Sequence, residues 1–229
     1  MTKIYLDPGH GGNDSGAVGN DLQEKDLNLT ISLKARDILL SEYQNIEVRM
    51  SRTSDTTLTL DQRTNDANAW GADYLASIHI NAGGGEGFES YIYNGTYADK
   101  AETDQLRVII HDAITEETGF FDRGKKEANF HMLRESNMPS VLTENGFIDD
   151  ADDAAKLKMH TFLDKIARGH ATGFERAFNL VKKDVISTDD MHRVIVDGTQ
   201  VGAFQNDQNV LDAVEQHLNT SYQILVEKI

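Results

Sequence analysis

The sequence predicts an α/β fold: a mainly parallel, twisted sheet flanked by helices, followed by a small C-terminal ββαβ module. Three observations carry this. Short apolar segments alternate with helical patterns of about ten or more residues, the signature of parallel strands joined by crossover helices. Histidine and glutamate recur where those segments end. A change of composition near residue 180 sets off a last stretch of roughly 40 residues, near the lower size limit for independent folding, with its own hairpin signal.

The elements follow in order. KIYLD (Lys3–Asp7) reads as a short buried strand, and GHGGNDSGAVGN as loop from its glycine content. From Glu24 to about Ser41, Leu27, Ile31, Ala35 and Ile38 keep helical spacing. Ile46–Arg52 alternates as a strand. Thr59–Trp70 reads as a helix, with Thr59 as cap and Gln62 placed to complete a capping box. DYLASIHIN is a strand running to about His79, and Gly87–Tyr93 is another. Ala98 to about Thr118 reads as a long helix, FHML and SVLTEN as two further short strands, and Ala151–Leu157 and Thr161–Phe178 as helices. The polar, unpatterned NLVKKDVISTDD reads as a linker. Beyond it HRVIV and QVGAF flank Asp197-Gly198, Val210, Val214 and Leu218 form a helical stripe, and YQILVEK alternates as a strand. The expected organisation is a domain at 1–180, a linker at 181–190 and a module at 191–229.

Composition excludes several classes of function. There are no cysteines, so disulfides, thiolate metal sites and a cysteine nucleophile are ruled out, and any metal must be held by His, Asp or Glu. A net charge of -16 repels nucleic-acid phosphates and anionic lipid, and no apolar run approaches the ~18 residues of a membrane span. Neither nucleic-acid binding nor membrane insertion is expected. The opening residues lack the basic, apolar and small-residue pattern of a secretory signal, so the expectation is synthesis in the cytoplasm without a signal peptide.

His10, Glu24 and His79 are the candidates for one site. In an open parallel sheet, functional groups gather beyond the C-terminal ends of the strands. His10 follows the first strand, His79 ends another, and Glu24 opens the helix after the glycine loop. Two imidazoles and one carboxylate, with a fourth position for water, form a common catalytic zinc shell. The competing interpretation is that each is an ordinary surface or core residue. His111, His160 and His170 fall in or beside helical patterns and read as structural, and so does His131, though it could line a cleft. Gly83-Gly84-Gly85 lacks the Gly-Lys-Ser/Thr of a phosphate loop and reads as a flexible loop near the site. Glu144 ends an apolar strand, where a charge needs a partner. Water at a metal is one such partner, and solvent is another.

The motifs LDPGHGG, EKDL, SIHINA and LTENGFI occur in this order in zinc-dependent N-acetylmuramoyl-L-alanine amidases, the type 3 amidases of bacterial cell-wall lysis. MSRTSDTTLTLDQRTNDAN between them is similar to that family's R-x-x-D…L-x-x-R…A-N stretch, and the resemblance covers about residues 1 to 178. It implies that His10, Glu24 and His79 bind Zn²⁺, that Glu144 is catalytic, and that the bond cut joins N-acetylmuramic acid to L-alanine in peptidoglycan. It also implies an endolysin or autolysin that acts on the wall after release, through a holin pore in the phage case. The C-terminal unit resembles, by architecture and position, the short modules that target such enzymes to walls. From Asp189 onward it carries seven acidic residues against Arg193 and Lys228, a balance of -5, so a wall polymer would be held by a shaped site rather than by bulk charge. Some of Val194, Val196, Val201, Phe204, Val210 and Leu218 are expected to pack within the unit and others against a second copy or the catalytic domain, with self-association favoured. The alternatives are a zinc peptidase acting on stem peptides and a wall-binding protein without activity. An intact ligand set and Glu144 argue against the latter.

Overall fold

Parallel pairing dominates because most strands of the first unit are separated from the next by a helix. The computed structural model describes residues 1–183, 192–204, 207–218 and 220–228. They divide into two units, Met1–Lys183 and Asp184–Ile229. In the first unit the chain runs β1 (Thr2–Pro8), β2 (Val18–Gly19), β3 (Leu22–Gln23), α1 (Glu24–Glu42), β4 (Ile46–Met50), α2 (Leu60–Trp70), β5 (Tyr74–Asn81) and β6 (Phe88–Tyr93). It continues with α3 (Lys100–Thr118), β7 (Asp122–Ala128), α4 (His131–Arg134), β8 (Ser140–Phe147), α5 (Ala151–Leu157) and α6 (His160–Phe178). The main sheet has the order β4-β1-β5-β8-β6-β7. β6 follows β5 through a short loop, enters from the end where β5 leaves, and so meets β8 antiparallel, while the other pairs are parallel.

The two faces of this sheet are covered unequally. On one, Ile4, Leu6, Ile78, Ile80 and Phe88 pack against Leu27 and Ile31 of α1, Ile110 and Ile114 of α3, and Ile166 and Phe174 of α6. Full burial of each such side chain contributes about 1.5–3 kcal/mol. The other face carries a smaller cluster, in which Tyr5 and Leu75 lie under Ala67 of α2 and Met132 of α4. That cover serves one end of the sheet. The strand ends beyond it carry polar side chains, and the site is built there.

The capping box at α2 is present in full, with Thr59 and Gln62 each bonding the other's backbone. Several elements differ from the sequence expectation, among them the short β2–β3 hairpin, whose first strand lies in the segment read as loop. FHML is not a strand: His131–Arg134 is a single helical turn, with the Phe130 carbonyl accepting from the N–H groups of Leu133 and Arg134. An apolar run this short has no resolvable period. β7, DRGKKEA, has no apolar alternation to announce it because it is the edge strand, where charge discourages pairing with other chains. Val181–Lys183, assigned above to the linker, run beside the end of α1, with Gln44 N–H donating to Val181 O and Lys183 N–H to Glu42 O. The rest of that linker, 184–190, lies outside the described residues.

In the second unit β9 (His192–Val196), β10 (Thr199–Phe204), α7 (Asp207–Glu215) and β11 (Ile224–Lys228) form an antiparallel sheet of order β10-β9-β11 with one helix. Asp197 closes the hairpin turn with φ 48°, and its carboxylate accepts from the N–H groups of Tyr222 and Gln223 at 3.0 and 2.9 Å. Val194 is fully buried, whereas Val201 and Leu218 are exposed.

α3 and α6 approach closely through glycine. A Cβ on Gly169 would lie 2.8 Å from Ile114 Cα, and one on Gly173 2.9 Å from Ile110 Cα. Overpacking at such a contact costs about 1–3 kcal/mol, more than the roughly 1 kcal/mol that alanine gains over glycine in a helix. Gly169→Ala and Gly173→Ala are each expected to lower the urea midpoint of the full chain. An unchanged or raised midpoint would show that the helices are free to separate.

Candidate metal centre

β1 ends by extending its pairing one residue past the strand, with Gly9 N–H donating to Ile78 O at 3.0 Å. Gly9 has no substitute here, since a Cβ would lie 2.2 Å from Cε1 of His79. The chain then turns through His10 at φ 60°, a left-handed conformation unusual for a side-chain-bearing residue. Two buried arginines hold the turn. Arg63 donates to Pro8 O at 2.8 Å, His10 O at 2.6 Å and the Asp7 carboxylate at 2.8 Å. Arg52 donates to Pro8 O, Gly9 O and Lys25 O at 3.0, 2.9 and 2.8 Å. Asp55 accepts from Gly12 N–H and pairs with Lys25 at 2.8 Å, which ties the glycine loop to α1. The R-x-x-D…L-x-x-R stretch is thus a clamp on the loop that presents His10.

Glu24 arrives from the other side. Asn20 and Asp21, at φ 49° and 62°, turn the small β2–β3 hairpin and deliver Glu24 to the start of α1. Its carboxylate is buried and fully engaged. Oε1 accepts from Ile80 N–H at 3.2 Å and faces Nδ1 of His79 at 2.9 Å. Oε2 accepts from Ala17 N–H at 2.8 Å and faces Nε2 of His10 at 3.2 Å. Burial on its own would raise Glu24, but the hydrogen bonds and charges of His10 and His79 outweigh it and hold the carboxyl far below the usual range.

Each histidine has its second nitrogen committed elsewhere. Nδ1 of His10 lies 2.8 Å from Asp14, and Nε2 of His79 lies 3.2 Å from Ser77 Oγ. The remaining nitrogens and the Glu24 carboxylate converge, with one donor atom from each residue within 4.8 Å of the others. The His10–Glu24 and His79–Glu24 donor separations are 3.2 and 2.9 Å, close enough to share one ion. The donor set suits zinc. His10 and His79 retain 26% and 16% of their side-chain exposure, so the cluster opens to solvent.

Glu144 lies on β8 directly opposite His79 of β5 and, on its other side, opposite Glu89 of β6. Residues opposite one another share a face of the sheet, so all three lie on the same face. Glu144 Oε2 is buried without a hydrogen-bond partner. Burial, then the charges of Glu24 and Glu89, push its carboxyl well above the ordinary glutamate range. Asn145 next to it donates to His79 O at 3.0 Å and fixes that strand.

The other four histidines of the first unit lie apart from the cluster. His111 is buried between Ser90 and Asp122, and His170 is fully buried, with its pKa lowered by burial to about 3. His131 sits 3.3 Å from Asp61 at the start of α4, and His160 starts α6. The Gly83–Gly84 backbone donates both N–H groups to Asp149.

A sheet that gathers two imidazoles and two carboxylates at one end has the groups that hydrolytic chemistry requires. Residues 4–176 match the family model described as N-acetylmuramoyl-L-alanine amidase, and the chain belongs to that family. It is similar to the N-acetylmuramoyl-L-alanine amidase CwlM of Bacillus licheniformis, 59% identical over 182 residues, 80% of this chain and 71% of that protein. It is 47% identical over 184 residues to the endolysin of Bacillus phage SPP1, covering 79% of this chain and 67% of the other. The catalytic domain of CwlV, an amidase from Bacillus (Paenibacillus) polymyxa var. colistinus, superposes with a TM-score of 0.74 at 34% identity, over 79% of this chain and all of that one. The protein is therefore a hydrolase of peptidoglycan, acting on the amide between N-acetylmuramic acid and L-alanine.

Asp7 and Arg63, at 1% and 3% exposure, form the buried pair beneath the site, and Ser51 and Ser77 donate to the same carboxylate. Burial pushes the Asp7 carboxyl up, but Arg63 and the two hydroxyls outweigh it and hold it below the ordinary aspartate value. Removing one partner of such a pair costs about 3–5 kcal/mol. Asp7→Asn is expected to lower stability by that order at pH 7. A carboxyl depressed in the folded state contributes above its unfolded value of about 4 and loses the contribution as pH falls below it. The gap between wild type and variant should therefore narrow at pH 3. Urea titrations at the two pH values check this, and a constant gap would remove Asp7 ionisation from the account.

Proposed function

We propose that His10, Glu24 and His79 hold a Zn²⁺ ion and that Glu144 is the catalytic acid–base of the amidase reaction. The observation that carries this is the convergence of three donors, with Asp14 and Ser77 fixing which nitrogen each imidazole presents. Zinc bound there would polarise the scissile carbonyl and make a water more acidic. Glu144 Oε2 is buried with no hydrogen-bond partner, so it is the oxygen left free to take a proton from the attacking water. It then returns that proton to the alanine nitrogen as the C–N bond breaks, leaving a lactyl carboxylate and a free amine. Asn145 and the two arginines contribute by keeping His79 and His10 in place.

Chelation is expected to abolish hydrolysis of purified walls, and Zn²⁺ to restore it. His10→Ala and His79→Ala should lose metal and activity together. Asp14→Ala should weaken metal affinity by about 10–100-fold, as expected for a residue that orients a ligand. Glu144→Gln should keep its metal and lose roughly 10²-fold or more in turnover. Full metal occupancy in both histidine variants would overturn the ligand assignment, and near-wild-type turnover of Glu144→Gln would make that residue structural. Products separate this reading from a stem-peptide peptidase: an amidase frees L-alanine amino groups and no reducing sugar.

We further propose that the unit at 191–229 directs the enzyme to a wall polymer and self-associates through exposed apolar residues such as Val201, Leu211 and Leu218. The likeness to the SPP1 endolysin and to a sporulation-specific amidase of Bacillus subtilis supports action on the wall as an endolysin or autolysin, with holin-dependent release in the phage case. The 1–183 protein is expected to cut soluble muropeptide but to co-sediment poorly with wall fragments. Binding by the full chain should survive physiological salt, because the unit is acidic and its site is shaped. Equal co-sedimentation of the two proteins would show that the unit is not a targeting module.

A further inference from the structure

Next to Glu144 the same face of the sheet carries a second charged group. Glu89 on β6 is 3% exposed, and its carboxylate accepts from four donors. Oε1 takes Tyr91 OH at 2.6 Å and Asn81 Nδ2 at 2.8 Å. Oε2 takes Arg123 Nε at 2.7 Å and Lys126 Nζ. Burial would raise this carboxyl, but Lys126, Tyr91 and Arg123 outweigh it and draw it down to about 2. Glu89 is therefore a fixed anion with no lone pair to spare. It anchors two cations on β7, a strand with no apolar reason to be where it is.

One carboxylate does not neutralise two cations. Arg123 and Lys126 keep 29% and 36% of their side-chain exposure. The Arg123 guanidinium lies 4.7 Å from the centre of the Phe147 ring, its Nη1 is 3.4 Å from Glu86 O, and among the described residues its Nη2 has no hydrogen-bond partner. Lys126 Nζ has no acceptor besides Glu89 among the described residues and lies 5.8 Å from the centre of the Tyr91 ring. Both cations therefore keep donor capacity that Glu89 does not use. Donors that a buried carboxylate anchors and that keep spare capacity are already oriented for an anion.

Strand spacing locates that anion. Neighbouring strands lie about 4.8 Å apart, so β7, two strands beyond β8, is about 10 Å from the Glu144 line. An extended peptide covers about 3.3 Å per residue and spans this distance in about three residues. Resting on the amidase reading above, we propose that Arg123 and Lys126 form a subsite for a carboxylate on the second or third residue of the departing peptide. The subsite would make the enzyme prefer an acidic stem to one whose carboxylate is amidated.

The test compares two synthetic N-acetylmuramoyl peptides, identical except that this carboxylate is free in one and a primary amide in the other. The wild-type protein is expected to show about a tenfold higher kcat/KM for the free acid, carried mainly by KM, the size of one charge-assisted hydrogen bond at a half-exposed site. Arg123→Gln and Lys126→Gln should each reduce the ratio toward one. Equal cutting of the two peptides by wild type overturns the subsite while leaving the amidase intact, and it needs no variant to fold. A preference that persists in both variants also overturns it. If neither peptide is cut, the amidase reading fails. Calorimetric affinities of the two peptides for the Glu144→Gln protein then decide the subsite alone, with equal affinities overturning it.

Discussion

The ion pair between Asp7 and Arg63 is the constraint on which the site depends. A carboxylate at 1% exposure on a central strand is tolerable only with its charge matched and its lone pairs filled. Arg63 matches the charge, and Ser51 and Ser77 fill the lone pairs. The same guanidinium has donors left over, and it spends them on the carbonyls of Pro8 and His10. A device that neutralises a buried charge therefore also fixes the backbone turn that aims an imidazole. Ser77 is shared in the same way, because its hydroxyl reaches Asp7 on one side and His79 on the other. The two histidines are linked beneath the surface through a single carboxylate.

Unequal cover of the sheet makes room for this arrangement. α1, α3 and α6 bury one face along its length, which supplies most of the apolar stabilisation. α2 and α4 cover the other face only near Tyr5 and Leu75. Polar residues at 79, 144 and 89 then lie in a row across β5, β8 and β6 because antiparallel and parallel partners alike place opposite residues on one side. The row is a property of register. A shift of one residue in β8 would turn Glu144 away and bring Thr143 or Asn145 into the cleft.

Much of this was legible from the amino acids alone. Strand–helix alternation exposed the sheet, and the positions of His10, Glu24 and His79 at element ends exposed the cluster that the fold brings together. What stayed hidden has physical reasons. β7 could not be seen because an edge strand has no need of an apolar pattern, and α4 because one turn is too short to show a period. Asp7 looked like the polar end of a strand, since its partner lies 56 positions away and only folding joins them. Arg52 and Arg63 were visible as a motif but not as a clamp, because their acceptors are backbone carbonyls, which no side-chain pattern reports. Asn145 and Glu89 were passed over for the same kind of reason. Their importance lies in what they bond, and sequence spacing is silent on that.

The saturation of Glu89 bears on where protons can travel. Glu144 has an acidic residue opposite it on either flank of its strand, through β6 and, by way of His79, through Glu24. Were Glu89 protonatable, the two carboxyls could share a proton sideways and the charge on Glu144 would be spread between them. With four donors already directed at it, Glu89 can neither accept a proton nor rotate to offer an oxygen. The β6 side of the cleft is thus an insulator. If Glu144 is the acid–base proposed above, it is left to exchange its proton with whatever occupies the space toward His79 and His10, and each proton it takes up would remain available to the leaving nitrogen.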